Sequence, residues 1–247
     1  MTTALIQGAT GGIGSAFVEY FLRREGIERV FATCRNPATA TALQTLADRF
    51  AGRLQVLRCD ITDESSVVEM AERVRAATGE LQWLINASGV LHDDEGLGPE
   101  RRLEHIEPAQ LAKVFAINAF GPLLVLKHLY PLLVHGERAV VAHLSARVGS
   151  IGDNKLGGWY GYRASKSALN QFVRGMAIEL KRKNKKLVCV AMHPGTVDTS
   201  LTKPFQRSAK VLFTPEDSVG RMIDVLEGLT PAQSGGFFAY DGSTIEW

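Results

Sequence analysis

Two residues on one helical stripe could move a proton. From Tyr162 onward the apolar positions Leu169, Phe172, Val173, Met176 and Leu180 mark an inward face, and steps of three, four and seven put Tyr162 and Lys166 on it too. A lysine aimed at a core is costly unless its ammonium finds partners. Snorkelling from a helix start would explain Lys166 but not the tyrosine paired with it. At i, i+4 the ammonium lies beside the phenol, and a nearby positive charge lowers a phenol pKa from about 10. A tyrosine tuned this way exchanges a proton with a substrate oxygen near neutral pH. Tyr160 is the rival acid, but four residues beyond it stands Ala164 rather than a lysine.

A second cluster could hold phosphate. Gly8-Ala9-Thr10-Gly11-Gly12-Ile13-Gly14 follows the first apolar run and opens the first helical pattern. Glycines there allow a sharp turn and let a pyrophosphate approach the backbone at a helix N-terminus. Gly8, Gly12 and Gly14 read as GxxxGxG, and Gly8, Gly11 and Gly14 as GxxGxxG, so the glycines alone leave the subfamily open. An NAD site usually carries Asp or Glu at the end of the second strand, about 20 residues on. Here that point reads Cys34-Arg35-Asn36-Pro37. With no carboxylate to repel a 2′-phosphate and Arg35 able to bind one bidentately, NADP (NADPH) is favoured over NAD.

These residues need a scaffold, and the chain supplies an alternating one. Strand patterns cover Ala4–Gln7, Arg29–Thr33, Leu54–Arg58, Leu81–Ile85, Ala139–Leu144, Leu187–Ala191 and Gly236–Ala239. Helical patterns lie between them at Ile13–Arg24, Ala38–Phe50, Glu64–Ala77, Leu111–Val134, Tyr162–Lys183 and Glu216–Gly228. Short apolar strands alternating with helices imply an α/β fold: a doubly wound, seven-stranded parallel sheet with helices on both faces. The 247 residues, 45% hydrophobic and 22% charged, show no linker or repeat, which predicts a single domain over 1–247. Three long connections, Leu91–Glu107, Arg147–Gly161 and Gly195–Thr214, all follow strand C-termini, the edge where open α/β sheets bind ligands. They predict a binding rim.

The remaining features exclude other classes. A net charge of +2 argues against a nucleic-acid partner, and the basic run Lys181–Lys186 reads as cations complementing a helix C-terminus. The most apolar stretch, Phe120 to Val134, is interrupted by Pro122, Lys127, His128 and Pro131, so no membrane span is expected. The N-terminus lacks a cationic leader and reads as no signal peptide. Three scattered cysteines, Cys34, Cys59 and Cys189, read as buried thiols in a reducing, cytoplasmic setting. His92-Asp93-Asp94-Glu95 reads as a solvated loop rather than a metal site. His143 and His193 read as strand-end histidines with satisfied hydrogen bonds. Trp159, Phe205 and Phe213 suit either loop anchoring or an apolar substrate wall.

Taken together, Tyr162-Arg163-Ala164-Ser165-Lys166 resembles the YxxSK signature of the short-chain dehydrogenases/reductases, and further segments match in order. Gly8–Gly14 resembles the family's cofactor loop, with contacts implied at Gly8, Thr10, Gly11, Gly12, Ile13 and Gly14. Cys59-Asp60-Ile61 resembles its adenine contact, implicating Asp60 and Ile61. Asn86-Ala87-Ser88-Gly89 is a variant of its NNAG motif, implicating Asn86, Ala87 and Ser88. Asn118 matches the helix asparagine and Ser145 the catalytic serine. Pro194-Gly195-Thr196-Val197-Asp198-Thr199 matches the PGxVxT turn, implicating Pro194, Gly195, Val197 and Thr199. The tract from Ser145 to Tyr162 resembles the sniffer and C-factor branch of carbonyl reductases. Gln7 and Ser88 depart from the family pattern, and Ser145 stands further upstream of Tyr162 than is commonest, so Gly152–Trp159 must bulge outward.

The resemblance implies a Rossmann-type fold and reduction of a small carbonyl compound, or oxidation of an alcohol, with NADPH as hydride donor. Tyr162 would protonate the oxygen, Ser145 would hydrogen-bond it, and Lys166 would hold the nicotinamide ribose. Such an enzyme could be a homo-oligomer. Two alternatives differ in class. An extended-branch epimerase or dehydratase would need more chain after Thr199; a C-factor-like signalling protein would bind NADP with little turnover. Asn118 shares a buried stripe with Leu111, Val114 and Phe115, and Pro122 has no N–H to give its main-chain carbonyl. A kink near Asn118 is therefore expected. The family likeness implies a water linking that carbonyl to Lys166.

Overall fold

The central strands of the sheet are covered on both faces, which is why they read as nearly unbroken apolar runs. The computed structural model describes residues 2–208 and 211–247. Its strands are β1 (Thr2–Gln7), β2 (Ile27–Cys34), β3 (Leu54–Arg58), β4 (Trp83–Asn86), β5 (Ala139–Leu144), β6 (Leu187–His193) and β7 (Phe237–Ala239). They lie in the order β3-β2-β1-β4-β5-β6-β7, with every neighbouring pair parallel. The order reverses between β1 and β4, and a crevice opens at such a switch point.

The helices are α1 (Gly12–Arg23), α2 (Thr41–Arg49), α3 (Glu64–Ala77), α4 (Pro108–Phe115), α5 (Gly121–Leu129), α6 (Tyr160–Lys183) and α7 (Pro215–Gly228). Alternation along β1 sorts them into two layers. Ala4 and Ile6 face a core with Phe17 and Phe21 of α1 and Met222 and Ile223 of α7. Leu5 faces the other core, with Met70 of α3, Val125 of α5 and Leu169 of α6. Seven parallel strands with helices on both faces are the architecture that the sequence pattern implies.

The single helix expected over Leu111–Val134 is divided. Between α4 and α5 the chain widens into a π turn at Ala116–Phe120, where the Gly121 N–H bonds the Ala116 carbonyl five residues back. The kink expected at Asn118 takes this form: with no N–H at Pro122, one residue is accommodated by widening rather than by breaking the helix. Gly121 permits it to pack, because a Cβ there would lie 2.7 Å from Ile61. By length and composition Pro108–Leu133 is also apolar enough to cross a bilayer. Here its Val125, Leu126, Leu129, Leu132 and Leu133 belong to the core.

Candidate active site

The three long connections meet over the C-terminal edge of the sheet and enclose a cleft of about 610 Å³. Its floor is the first turn of α1 (Gly11, Gly12, Ile13 and Gly14) together with Ala87 and Ser88. Ser145, Tyr162 and Lys166 line one side, and Pro194, Gly195, Val197 and Thr199 another. Gly8, Thr10, Asn86 and Asn118 lie outside this lining, as do Arg35, Asp60 and Ile61. Arg35 is exposed at the end of β2, where the Cys59 N–H bonds the Cys34 carbonyl and brings the segment after β3 alongside. Asp60 accepts from the Thr62 hydroxyl and N–H, and Ile61 is buried against Gly121.

The glycine turn fits a dinucleotide. Gly8 has φ +80°, and a Cβ on it would lie 2.8 Å from the Ser88 nitrogen. A Cβ on Gly14 would meet the Gly8 carbonyl oxygen at 2.2 Å, so strand and helix close only without side chains there. No side chain caps α1 and no acid stands in its first turn. Its first N–H groups are thus free to face an anion.

Tyr162 and Lys166 share the buried face of α6, as their spacing predicts. Lys166 is 3% exposed and its Nζ donates to the Leu144 carbonyl at 3.0 Å. The ammonium lies 5.8 Å from the centroid of the Tyr162 ring. Burial lowers the lysine pKa from 10.5 to about 8. The expected lowering of the phenol pKa is not found: burial pushes Tyr162 up to about 12. Desolvation of the phenolate outweighs an ammonium turned toward a carbonyl. Tyr162 therefore holds its proton at neutral pH.

Asn118 anchors the centre of the site. Its Oδ1 accepts from the Val90 N–H at 2.8 Å, and its Nδ2 donates to the Val90 carbonyl and the Ser165 hydroxyl. A Cβ on Gly89 would lie 3.4 Å from Lys166 Nζ and 3.5 Å from Asn118 Oδ1, so both groups close around that glycine.

Two supporting residues escaped the sequence reading. The Ser145 hydroxyl donates to Asn170 Oδ1 at 2.7 Å, both groups being buried. Asn170 stands four residues beyond Lys166, so the Tyr162–Lys166 row carried a signal for it. The second is Glu100, on the loop after β4, whose buried carboxylate accepts from the Gly161 N–H at 3.1 and 3.2 Å. Its carbonyl accepts from the N–H of Trp159, the N-cap of α6, which sits in the left-handed region at φ 54°, so the helix starts at Tyr160, two residues before the expected Tyr162. No local pattern marks that contact across the chain.

The histidine expectation needs correction. His143 is fully buried with neither ring nitrogen bonded, and Nδ1 of His193 is also unpartnered. Thr33, Gln7, Asn86 and His143 form one register row across β2, β1, β4 and β5, each with a buried polar atom left unpartnered. Ladder bonds consume the backbone groups there. Burial lowers His143 to about 3 and His193 to about 4, so both stay neutral.

The rim also resolves the aromatic alternatives. Trp159 and Phe205 line the cleft with ring centroids 5.0 Å apart. Phe213 packs on Tyr240 at 4.7 Å, beneath Gly195, as an anchor. Tyr160 does not line the cleft. The segment Gly152–Trp159 bulges outward, leaving Leu156 91% exposed. Among the described residues no cluster could hold a metal ion. The loop 92–95 is solvated as expected, with Asp94 and Glu95 exposed; Asp93 and Glu95 pair with Lys113 at the surface, and His92 reaches the Ser200 carbonyl.

This geometry has relatives. Residues 2–210 match the family description short chain dehydrogenase. C-signal of Myxococcus xanthus is 39% identical over 170 residues, 69% of this chain and 95% of that protein. An NADPH-bound carbonyl reductase from chicken fatty liver superposes with TM-score 0.89 at 30% identity, covering 100% of this chain and 98% of that one. The carbonyl reductase Sniffer of D. melanogaster does so with TM-score 0.88 at 27% identity, covering 100% of each. The chain belongs to the short-chain dehydrogenase/reductase family and is an oxidoreductase of the kind its carbonyl reductase relatives represent.

Proposed function

We propose that the protein, with residues 1–247 forming one NADP-binding domain, reduces an aldehyde or ketone at the expense of NADPH. The observation that carries this reading is a proton-holding tyrosine, a buried lysine and an asparagine-tethered serine on the wall of the cleft whose floor is the uncapped end of α1. When bound, a dihydronicotinamide supplies the hydride that the carbonyl carbon accepts. The first-turn N–H groups of α1 hold the pyrophosphate, with Pro194, Gly195, Val197 and Thr199 closing the opposite side. Asp60 and Ile61 border the adenine, and Asn86, Ala87 and Ser88 the segment between. Lys166 binds the nicotinamide ribose. Tyr162 donates its proton to the carbonyl oxygen, and Ser145 swings its hydroxyl from Asn170 to the same oxygen.

The test is NADPH consumption over a panel of aldehydes, ketones and quinones, with NADH in parallel. Reduction of none of them defeats the reading. Similarity to C-signal supports a second one, in which the chain binds NADP and signals with little turnover; NADPH binding without consumption would favour it.

Cofactor choice rests on Arg35, exposed and without an ion-pair partner among the described residues. Replacing Arg35 with Ala is expected to weaken NADPH binding by about 10- to 100-fold, the worth of a charged hydrogen bond, while NADH binding changes little. Equal losses for both cofactors in a fluorescence titration would remove the phosphate contact.

Proton resupply runs through the Asn118 main-chain carbonyl, a water and Lys166. Pro122→Ala restores an N–H able to occupy that carbonyl. Turnover should then slow severalfold, with the solvent deuterium isotope effect rising more than the effect of deuterated NADPH. An unchanged solvent isotope effect would exclude the relay.

A further inference from the structure

The cleft is one-sided in charge. Among the described residues lining it there is no aspartate or glutamate, but three cations, Arg147, Arg163 and Lys166. Two are already engaged. Lys166 donates to the Leu144 carbonyl, and the Arg163 guanidinium to the carbonyls of Gly158 and Val148 at 3.0 and 3.2 Å. Arg147 is different. It is exposed at the mouth, two residues beyond Ser145, and its side chain has no hydrogen bond or ion pair among the described residues. Its charge is felt by His193, which also lines the cleft, and by Asp241, whose carboxylate is taken up by the hydroxyl and N–H of Ser243. His193 stays neutral and adds no second charge beside it.

The same lining carries a group of apolar side chains, Leu91, Trp159, Leu201 and Phe205, and His92, bonded to the Ser200 and Leu201 carbonyls, packs on Phe205 with centroids 5.8 Å apart. An apolar slot with a reacting end and a free guanidinium at its opening selects for a molecule with the same polarity. Resting on the carbonyl-reduction reading above, we propose that the substrate is a flat, apolar carbonyl compound carrying a carboxylate at the end remote from the carbonyl, and that Arg147 binds that carboxylate. A guanidinium suits the task because its planar fork matches a carboxylate bidentately and is weakly hydrated. No acid stands in the lining and the nearby Asp241 carboxylate is turned to Ser243, so the lining favours an anion, and a cationic analogue is disfavoured by all three positive groups.

The experiment compares benzaldehyde with 4-carboxybenzaldehyde by kcat/KM, with saturating NADPH, at low and high salt. Wild type, Arg147→Met and Arg147→Lys are measured side by side. The wild type should prefer the carboxylate compound by about tenfold. That preference should shrink at high salt, vanish in Arg147→Met and fall between the two in Arg147→Lys. Equal kcat/KM for both aldehydes in the wild type, or a preference surviving Arg147→Met, would overturn the assignment. Calorimetric titration of the two compounds into the NADP-saturated protein separates this inference from the reading beneath it. Selective binding of the carboxylate compound that Arg147→Met abolishes, without turnover, upholds the anion site and defeats carbonyl reduction. Turnover of both aldehydes without preference does the opposite, and neither turnover nor selective binding defeats both.

Discussion

Replacing Tyr162 with Phe should lower carbonyl reduction by about 10²- to 10⁴-fold, the usual worth of a positioned general acid, while NADPH still binds. The substitution keeps the ring, including its edge contact with Trp159 at 6.2 Å between centroids, and removes only the hydroxyl. The wild-type phenol, pushed up to about 12, is protonated throughout the neutral range and so is already in the form that donates. The reduction rate should therefore stay flat across neutral pH and decline only above about 8, where Lys166 loses its proton. Single-turnover NADPH oxidation alongside a binding titration measures both halves of this expectation. Near-normal reduction by Tyr162→Phe would falsify the assignment of the acid.

Lys166→Met should separate function from stability. Turnover and NADPH binding should both fall, turnover by about 10²-fold or more, because the ammonium serves the ribose and the proton path. Stability should respond in a different way. An unfolded lysine titrates at 10.5 and the folded one at about 8, so below pH 8 the folded state carries a buried charge it would shed more readily than the unfolded state. This depression costs roughly 3 kcal/mol at neutral pH. Between pH 8 and 10.5 the unfolded state binds more protons than the folded one, so the wild type gains stability as pH rises while the methionine variant does not. The variant leaves the Leu144 carbonyl without its donor, which offsets part of its advantage at pH 7. The decisive quantity is the change in the gap. Urea unfolding at pH 7 and 10.5 should show the wild type gaining roughly 3 kcal/mol on the variant. A gap that does not move with pH would mean the lysine is not held as a buried cation.

What the sequence by itself determined is local or periodic. Apolar runs alternating with helical stripes specify a parallel sheet covered on both faces, since both periods are set by backbone geometry alone. The glycines at 8 and 14 announce a turn that side chains would block, and i, i+4 spacing is enough to set Lys166 beside Tyr162. Even the disturbance at Asn118 follows from one missing N–H at Pro122. Tertiary structure decided whatever depends on residues far apart in the chain. Whether the ammonium or desolvation governs the phenol is a competition between one charge and all the surrounding atoms, and burial wins. Glu100 reaches Gly161 only because the loop after β4 folds over the start of α6. His143 lost its partners because its neighbours lie on other strands, where the ladder has consumed the backbone groups. Trp159 and Phe205 became a wall, and Phe213 an anchor, only when three loops met at one edge. Periodicity is written residue by residue, whereas desolvation and long-range contacts are sums over the folded whole.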